Sequence, residues 1–88
     1  MKDVIFRSGF LKDWKKLERK RYSKQELLDV IQILRGNYIP AKYHDHALSG
    51  NYKGYRECHI RSNWLLVYES TETEIILIAT GSHDDLFK

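Results

Sequence analysis

The chain has 88 residues, 42% of them hydrophobic and 31% charged, with a formal net charge of +3. That composition excludes intrinsic disorder and suits one small domain over residues 1–88, which buries only about 60–65% of its unfolded surface. A single cysteine, Cys58, excludes an intramolecular disulfide and fits a reducing compartment; no run approaches the roughly 20 apolar residues of a bilayer span, and Met1-Lys2-Asp3-Val4 is unlike a signal peptide, so a cytoplasmic protein with no membrane partner is expected.

Val4-Ile5-Phe6 is a β-type run ended by Ser8-Gly9 and predicts a first strand. Phe10, Trp14 and Leu17 then recur at helical spacing, with charged residues between them. The charge here is lopsided: residues 1–24 carry nine Lys/Arg against three Asp/Glu, a balance of +6, and the remainder carries −3. Burial of Phe10, Trp14 and Leu17 leaves Lys12, Lys15, Lys16, Arg19 and Lys20 facing outward. Such a surface suits a polyanion; its plainer reading is a solvated helix face.

Ser23-Lys24-Gln25-Glu26 has the form of a capping box. A second helix follows, with Leu27, Leu28, Ile31 and Leu34 on one stripe and Gly36 as an expected left-handed stop. Residues 37–54, punctuated by Asn37, Pro40, Gly50, Asn51 and Gly54, read as a long irregular segment, of the kind that in compact domains serves function. Beyond it the pattern is β: Tyr55–Arg61 alternates, Trp64–Glu69 is aromatic and apolar, and Ile75–Ile78 is continuously apolar. Ser62-Asn63 and Thr71-Glu72-Thr73 fall at the turns. The order β-α-α-β-β-β predicts an α+β fold, a helical hairpin packed on a small, twisted, mainly antiparallel sheet.

A turn at Ser62-Asn63 would pair Arg61 with Trp64, Ile60 with Leu65 and His59 with Leu66. Paired residues share a face. One face then holds Ile60, Leu65 and Val67 beneath the helices. The other holds His59, Arg61 and Trp64, a base, a cation and a stacking surface open to solvent. His44 and His46 lie in the irregular segment and His83 just past the last strand, so His46, His59 and His83 can converge. Cleavage of RNA by a 2′-hydroxyl needs a base, an acid and positive charge, and histidine serves as either base or acid near neutrality. His44, His46, Cys58 and His59 match no strong zinc spacing, so neither metal nor another cofactor is expected.

Tyr43-His44-Asp45-His46-Ala47-Leu48-Ser49-Gly50, Tyr55-Arg56-Glu57-Cys58-His59-Ile60, Trp64-Leu65-Leu66-Val67-Tyr68, Thr80-Gly81-Ser82-His83 and Leu86-Phe87, in this order, resemble the YafQ branch of the RelE/ParE toxin superfamily. The resemblance covers the whole chain and implies the RelE-like fold. It implies a toxin of a type II toxin–antitoxin system, a ribosome-dependent endoribonuclease whose partners are a cognate antitoxin, the 70S ribosome with its RNA, and mRNA. By family role it makes His46, His59 and His83 catalytic, and has Asn63, Trp64 and Phe87 contact substrate. Arg56 and Arg61 are expected to add positive charge there, and Lys12, Lys15, Lys16, Arg19 and Lys20 to dock on ribosomal RNA away from the histidine face. Two positions depart from the family pattern: Asn63 stands where an Asp is common, and Ala79 where an Arg is common. Asn63 cannot ionise, and loss of one transition-state cation costs on the order of 10²–10³ in rate. A ParE-like toxin that binds a protein such as gyrase, which would not need the histidines, and a weakened RNA-binding variant are the alternatives.

Overall fold

The computed structural model describes residues 1–87. The chain runs β1 (Asp3–Phe6), α1 (Ser8–Arg19), α2 (Lys24–Leu34), a 3₁₀ turn (Ala41–Tyr43), β2 (His46–Ala47), a second 3₁₀ turn (Gly50–Tyr52), β3 (Arg56–Arg61), β4 (Trp64–Ser70), β5 (Glu74–Gly81) and α3 (His83–Phe87). The strands form one sheet in the order β1-β5-β4-β3-β2, with β1 parallel to β5 and every other pair antiparallel. The expected α+β hairpin-on-sheet architecture is therefore present. The two-residue β2 and the short α3 are additions to it, too short to leave a periodic signal.

Helices α1 and α2 bury Phe10, Leu17, Leu27, Val30, Ile31 and Leu34 against Cys58, Trp64, Leu66, Tyr68, Ile75 and Leu77 of the sheet. α1 stops at Arg21, whose φ of 65° lies in the left-handed region. The amide of Tyr22 reaches back to the carbonyl of Leu17 and that of Arg21 to Glu18, a closure in which glycine is the usual residue. The capping box of α2 is half made. The Ser23 hydroxyl accepts from the Glu26 amide at 3.2 Å, but the Glu26 carboxylate is engaged by Arg61 instead of turning back to the cap. Gly36 is not the left-handed stop expected of it: the cap residue Arg35 is right-handed, and the Gly36 amide closes on Ile33.

The β3–β4 register differs from the expected one. Arg61 does pair with Trp64, but His59 pairs with Leu65 and Cys58 with Leu66, because the ladder slips between His59 and Arg61. One extra residue in a strand moves every side chain beyond it to the other face. Trp64, Leu66 and Tyr68 consequently face the helices, and Leu65 and Val67 share the opposite face with His59. The face assignments of Trp64, Leu65 and Val67 are thus the reverse of those read from the sequence.

Cys58 is fully buried. Burial, reinforced by the charges of Asp45 and Glu57, pushes its thiol up to about 12. It is therefore a small apolar core group and no nucleophile. Native protein at about pH 8 is expected to leave a thiol reagent unreacted and to take up one equivalent on denaturation; prompt labelling of the native state would contradict this packing.

Candidate active site

The irregular segment is tied to the sheet beside β3. β2 pairs His46 with Glu57 and Ala47 with Arg56. Asp45, at the entrance to β2, receives Nε and Nη2 of Arg56 at 3.1 and 2.6 Å and the hydroxyl of buried Tyr68. Hydrogen bonding to Asp45 raises Arg56 above its already high value, and desolvation, with Asp45 next, does the same to the Tyr68 phenol. Two guanidinium N–H groups on one oxygen of a nearly buried carboxylate, with the Tyr68 hydroxyl on the other, fix that backbone in place. His44, at φ 49° and ψ 40°, is left-handed and closes the first 3₁₀ turn through its amide on the Ala41 carbonyl.

Two catalytic candidates meet here. Nε2 of His46 and Nε2 of His59 each lie 3.5 Å from the same oxygen, Oε1 of Glu57. Nδ1 of His46 lies 2.8 Å from the carbonyl oxygen of His44. The His59 ring stands 6.5 Å from that of His46 and meets that of His44 edge-on at 5.5 Å. Glu57 is only 5% exposed, and a carboxylate taken from water needs a charged or hydrogen-bonding partner. Among the described residues, the two imidazoles are the basic side chains within 4 Å of it. Strand alternation puts Glu57 on the face of His59, but its residue type and spacing point to no role. The pairing of His46 opposite Glu57 comes from a two-residue strand that leaves no pattern.

These side chains open into a groove of about 860 Å³ between α2 and the edge of β3, whose rim includes Lys42, Tyr43 and Arg61. β2 pairs with only Arg56 and Glu57, so among the described residues no strand pairs with this edge of β3 from Cys58 onward.

His83 stands apart from that pair. The register runs from His59 to Leu65 to Gly81, and strands spaced by about 4.8 Å put the two ends of this row roughly 10 Å apart. His83 begins α3 two residues beyond Gly81. Its ring packs 5.4 Å from Phe87, which meets Tyr52 edge-on at 5.1 Å. The Tyr52 hydroxyl donates to the carbonyl of Leu86, securing the second 3₁₀ turn to α3. Asn63 is a tether: its Oδ1 accepts the backbone amide of His83 at 3.1 Å. An amide oxygen serves for that bond as well as a carboxylate does, which gives Asn63 a structural use where the family commonly has Asp.

Several expected site residues are placed differently. Trp64 is 2% exposed. Its indole lies parallel to that of Trp14 with centroids 6.2 Å apart, meets Tyr22 edge-on, and donates Nε1–H to Thr80 Oγ1 at 2.9 Å. It offers no open face to a base. Arg61 forms a two-point pair with Glu26, with contacts of 2.6 and 3.0 Å, and Arg56 is held by Asp45. Lys12, Lys15, Lys16, Arg19 and Lys20 are exposed as expected. They are not wholly remote from the histidines, because Lys16 and Lys20 act on Asp85, whose carboxylate is held below its ordinary range first by its bonds to Ser82 and then by those two charges. Asp85 is two residues from His83.

Residues 2–88 match the family model described as "Bacterial toxin of type II toxin-antitoxin system, YafQ". The chain is 32% identical over 88 residues to the mRNA interferase toxin YafQ of Escherichia coli K12, covering 98% of this chain and 96% of that protein. The toxin in the E. coli DinJ–YafQ complex superposes with a TM-score of 0.90 at 31% identity, with both chains fully covered. A metal-bound toxin from Helicobacter pylori superposes with a TM-score of 0.89 at 33% identity, covering 99% of this chain and all of that one.

Proposed function

Since this chain belongs to the YafQ family of bacterial type II toxin–antitoxin toxins, we propose that it is an mRNA interferase, a ribosome-dependent endoribonuclease that cuts by attack of a 2′-hydroxyl on the adjacent phosphate. The observation that carries this reading is the buried Glu57 carboxylate shared by His46 and His59. One histidine takes the 2′-hydroxyl proton as the new O–P bond forms. Another returns a proton to the departing 5′-oxygen, leaving a 2′,3′-cyclic phosphate. Each such role is worth roughly 10²–10⁴-fold.

Glu57 pairs with whichever neighbouring imidazole carries the proton and keeps both rings aimed at the groove. His83, across the sheet and oriented through Asn63, supplies the opposite side of an in-line displacement. Phe87, half-buried against Tyr52 and His83, is the aromatic positioned to stack on a base, worth about 1–3 kcal/mol. Arg61 supplies positive charge at the groove rim, and Arg56, held by Asp45, adds positive charge from outside it. The histidine cluster favours this reading over a ParE-like, non-nuclease toxin. Ala79, on the row of Glu57 and Val67, leaves no cation there and favours a slower enzyme than relatives that carry Arg.

No resident cofactor is part of this reading. Metal-bound relatives exist, but among the described residues no three His, Cys, Asp or Glu side chains are grouped to hold an ion. Toxin stripped with a chelator before assay should therefore cut at the same sites. Cognate antitoxin, 70S ribosome and mRNA are the proposed partners, in the cytoplasm. Among the described residues, no helix is long and apolar enough to cross a membrane.

Lys12, Lys15, Lys16 and Arg19 of α1, with Lys20 at its C-cap, are assigned to docking on ribosomal RNA, where basic side chains contact phosphates without reading sequence. Primer extension on a translated message tests both parts of the proposal. Induction of the wild-type chain is expected to give discrete cuts inside translated codons, and replacing Lys12, Lys15 and Arg19 together with Gln is expected to weaken every cut without moving it. Absence of cuts during full growth arrest would overturn the nuclease reading. Undiminished cutting by the triple variant would return α1 to a solvated face.

A further inference from the structure

A second cleft, of about 430 Å³, lies where the α1–α2 turn faces the β3–β4 turn. Lys20, Arg21, Tyr22, Arg61, Ser62 and Asn63 are on its walls, and no carboxylate is among its described lining residues. Arg61 and Ser62 also line the histidine groove, so the two hollows adjoin across these residues. On its far side, Asn63 holds the start of α3 and hence His83. The cleft thus lies along the path from the His46–His59 pair toward His83, and it is basic where the histidine groove carries Glu26 and Asp29.

Two details point to an anion as its occupant. Arg21 occupies the left-handed position that ends α1, at φ 65°, where glycine fits without steric cost and a long cationic side chain does not. Arg61 engages both oxygens of Glu26 through Nε and Nη2, a two-point contact that a phosphate also accepts. That pair is exposed, 65% for the Arg61 side chain and 36% for Glu26, and exposed ion pairs are weak enough to exchange.

We propose that this cleft is a phosphodiester-binding subsite for the RNA strand flanking the histidine groove, and that Arg61 releases Glu26 to take a backbone phosphate when the strand enters. The inference rests on the RNA-cleaving reading above and extends it: Glu26 is a carboxylate that competes with RNA for Arg61.

The test is binding of a fluorescent, fully 2′-O-methylated oligonucleotide, which cannot be cut, to purified toxin across a salt series. Glu26→Gln should tighten binding about threefold, and the same change in an Arg61→Gln background should do nothing. Lys20→Gln with Arg21→Gly should weaken binding about tenfold and flatten the log–log salt slope by about 1.4, the value for two lost phosphate contacts on a single strand. Arg21→Gly alone should weaken binding while its thermal midpoint stays level or rises, which a structural role for Arg21 would not give. Equal tightening by Glu26→Gln in both backgrounds would show general repulsion and overturn the exchange, as would no tightening at all. Unchanged affinity in the Lys20/Arg21 variant, with wild-type binding intact, would overturn the subsite alone. Failure of the wild-type chain to bind the oligonucleotide at low salt would overturn the subsite together with the RNA reading beneath it.

Discussion

Alanine at His46, His59 or His83 is expected to lower mRNA cleavage by roughly 10²–10⁴-fold in each case, and to abolish growth arrest while antitoxin binding survives. His46 and His59 share one carboxylate oxygen, so their losses should not add. The His46/His59 double variant should be little worse than the poorer single one, as for catalytic groups acting as a unit. Glu57→Gln keeps the shape of the side chain but removes the charge that both rings face. It should cost activity with less damage to the fold than Glu57→Ala. The check is primer extension at matched expression, with antitoxin co-purification as the folding control. If all three single alanine variants stop growth as fast as wild type, the acid–base assignment is wrong.

Trp64→Ala is expected to act through the fold. The ring is buried between Trp14, Tyr22 and Thr80, and removing such a ring from a packed core costs about 3–5 kcal/mol. A domain has only about 5–15 kcal/mol in all, so the thermal midpoint should fall by roughly 12 °C or more. Trp64→Phe keeps most of the packing and loses the indole bond to Thr80, at a cost of about 1 kcal/mol. Both variants should lose toxicity in proportion to lost folded protein. A Trp64→Ala chain with an unshifted midpoint and impaired cleavage would instead restore the substrate-contact role that the family resemblance suggests.

The long periodic elements were legible in the sequence because burial writes itself into spacing. Phe10, Trp14 and Leu17 marked α1, and Leu27, Ile31 and Leu34 marked α2. The three later strands appeared as β-branched and aromatic runs. What periodicity cannot carry is a single inserted residue. The slip between His59 and Arg61 reversed the face of Trp64, Leu65 and Val67, although the turn at Ser62-Asn63 was placed correctly. The site was legible in its residue types and in its motifs. His46 and His59 do converge, while His83 joins Phe87 and Tyr52 in a second cluster. The partners of the charged residues were not legible: Glu26 for Arg61 and Asp45 for Arg56 are contacts between separate elements, made where α2 and the entrance to β2 meet β3. Neither was the place of Glu57, buried against two imidazoles.

The proposed attack of a 2′-hydroxyl on the adjacent phosphate is tested by programming ribosomes with a message bearing a single 2′-deoxynucleotide immediately 5′ of a mapped cut and adding purified toxin. Cleavage should vanish at that position, persist at unsubstituted sites, and leave 2′,3′-cyclic phosphate ends there. Undiminished cutting at the deoxy position would contradict the mechanism, since it would require a nucleophile other than the adjacent hydroxyl.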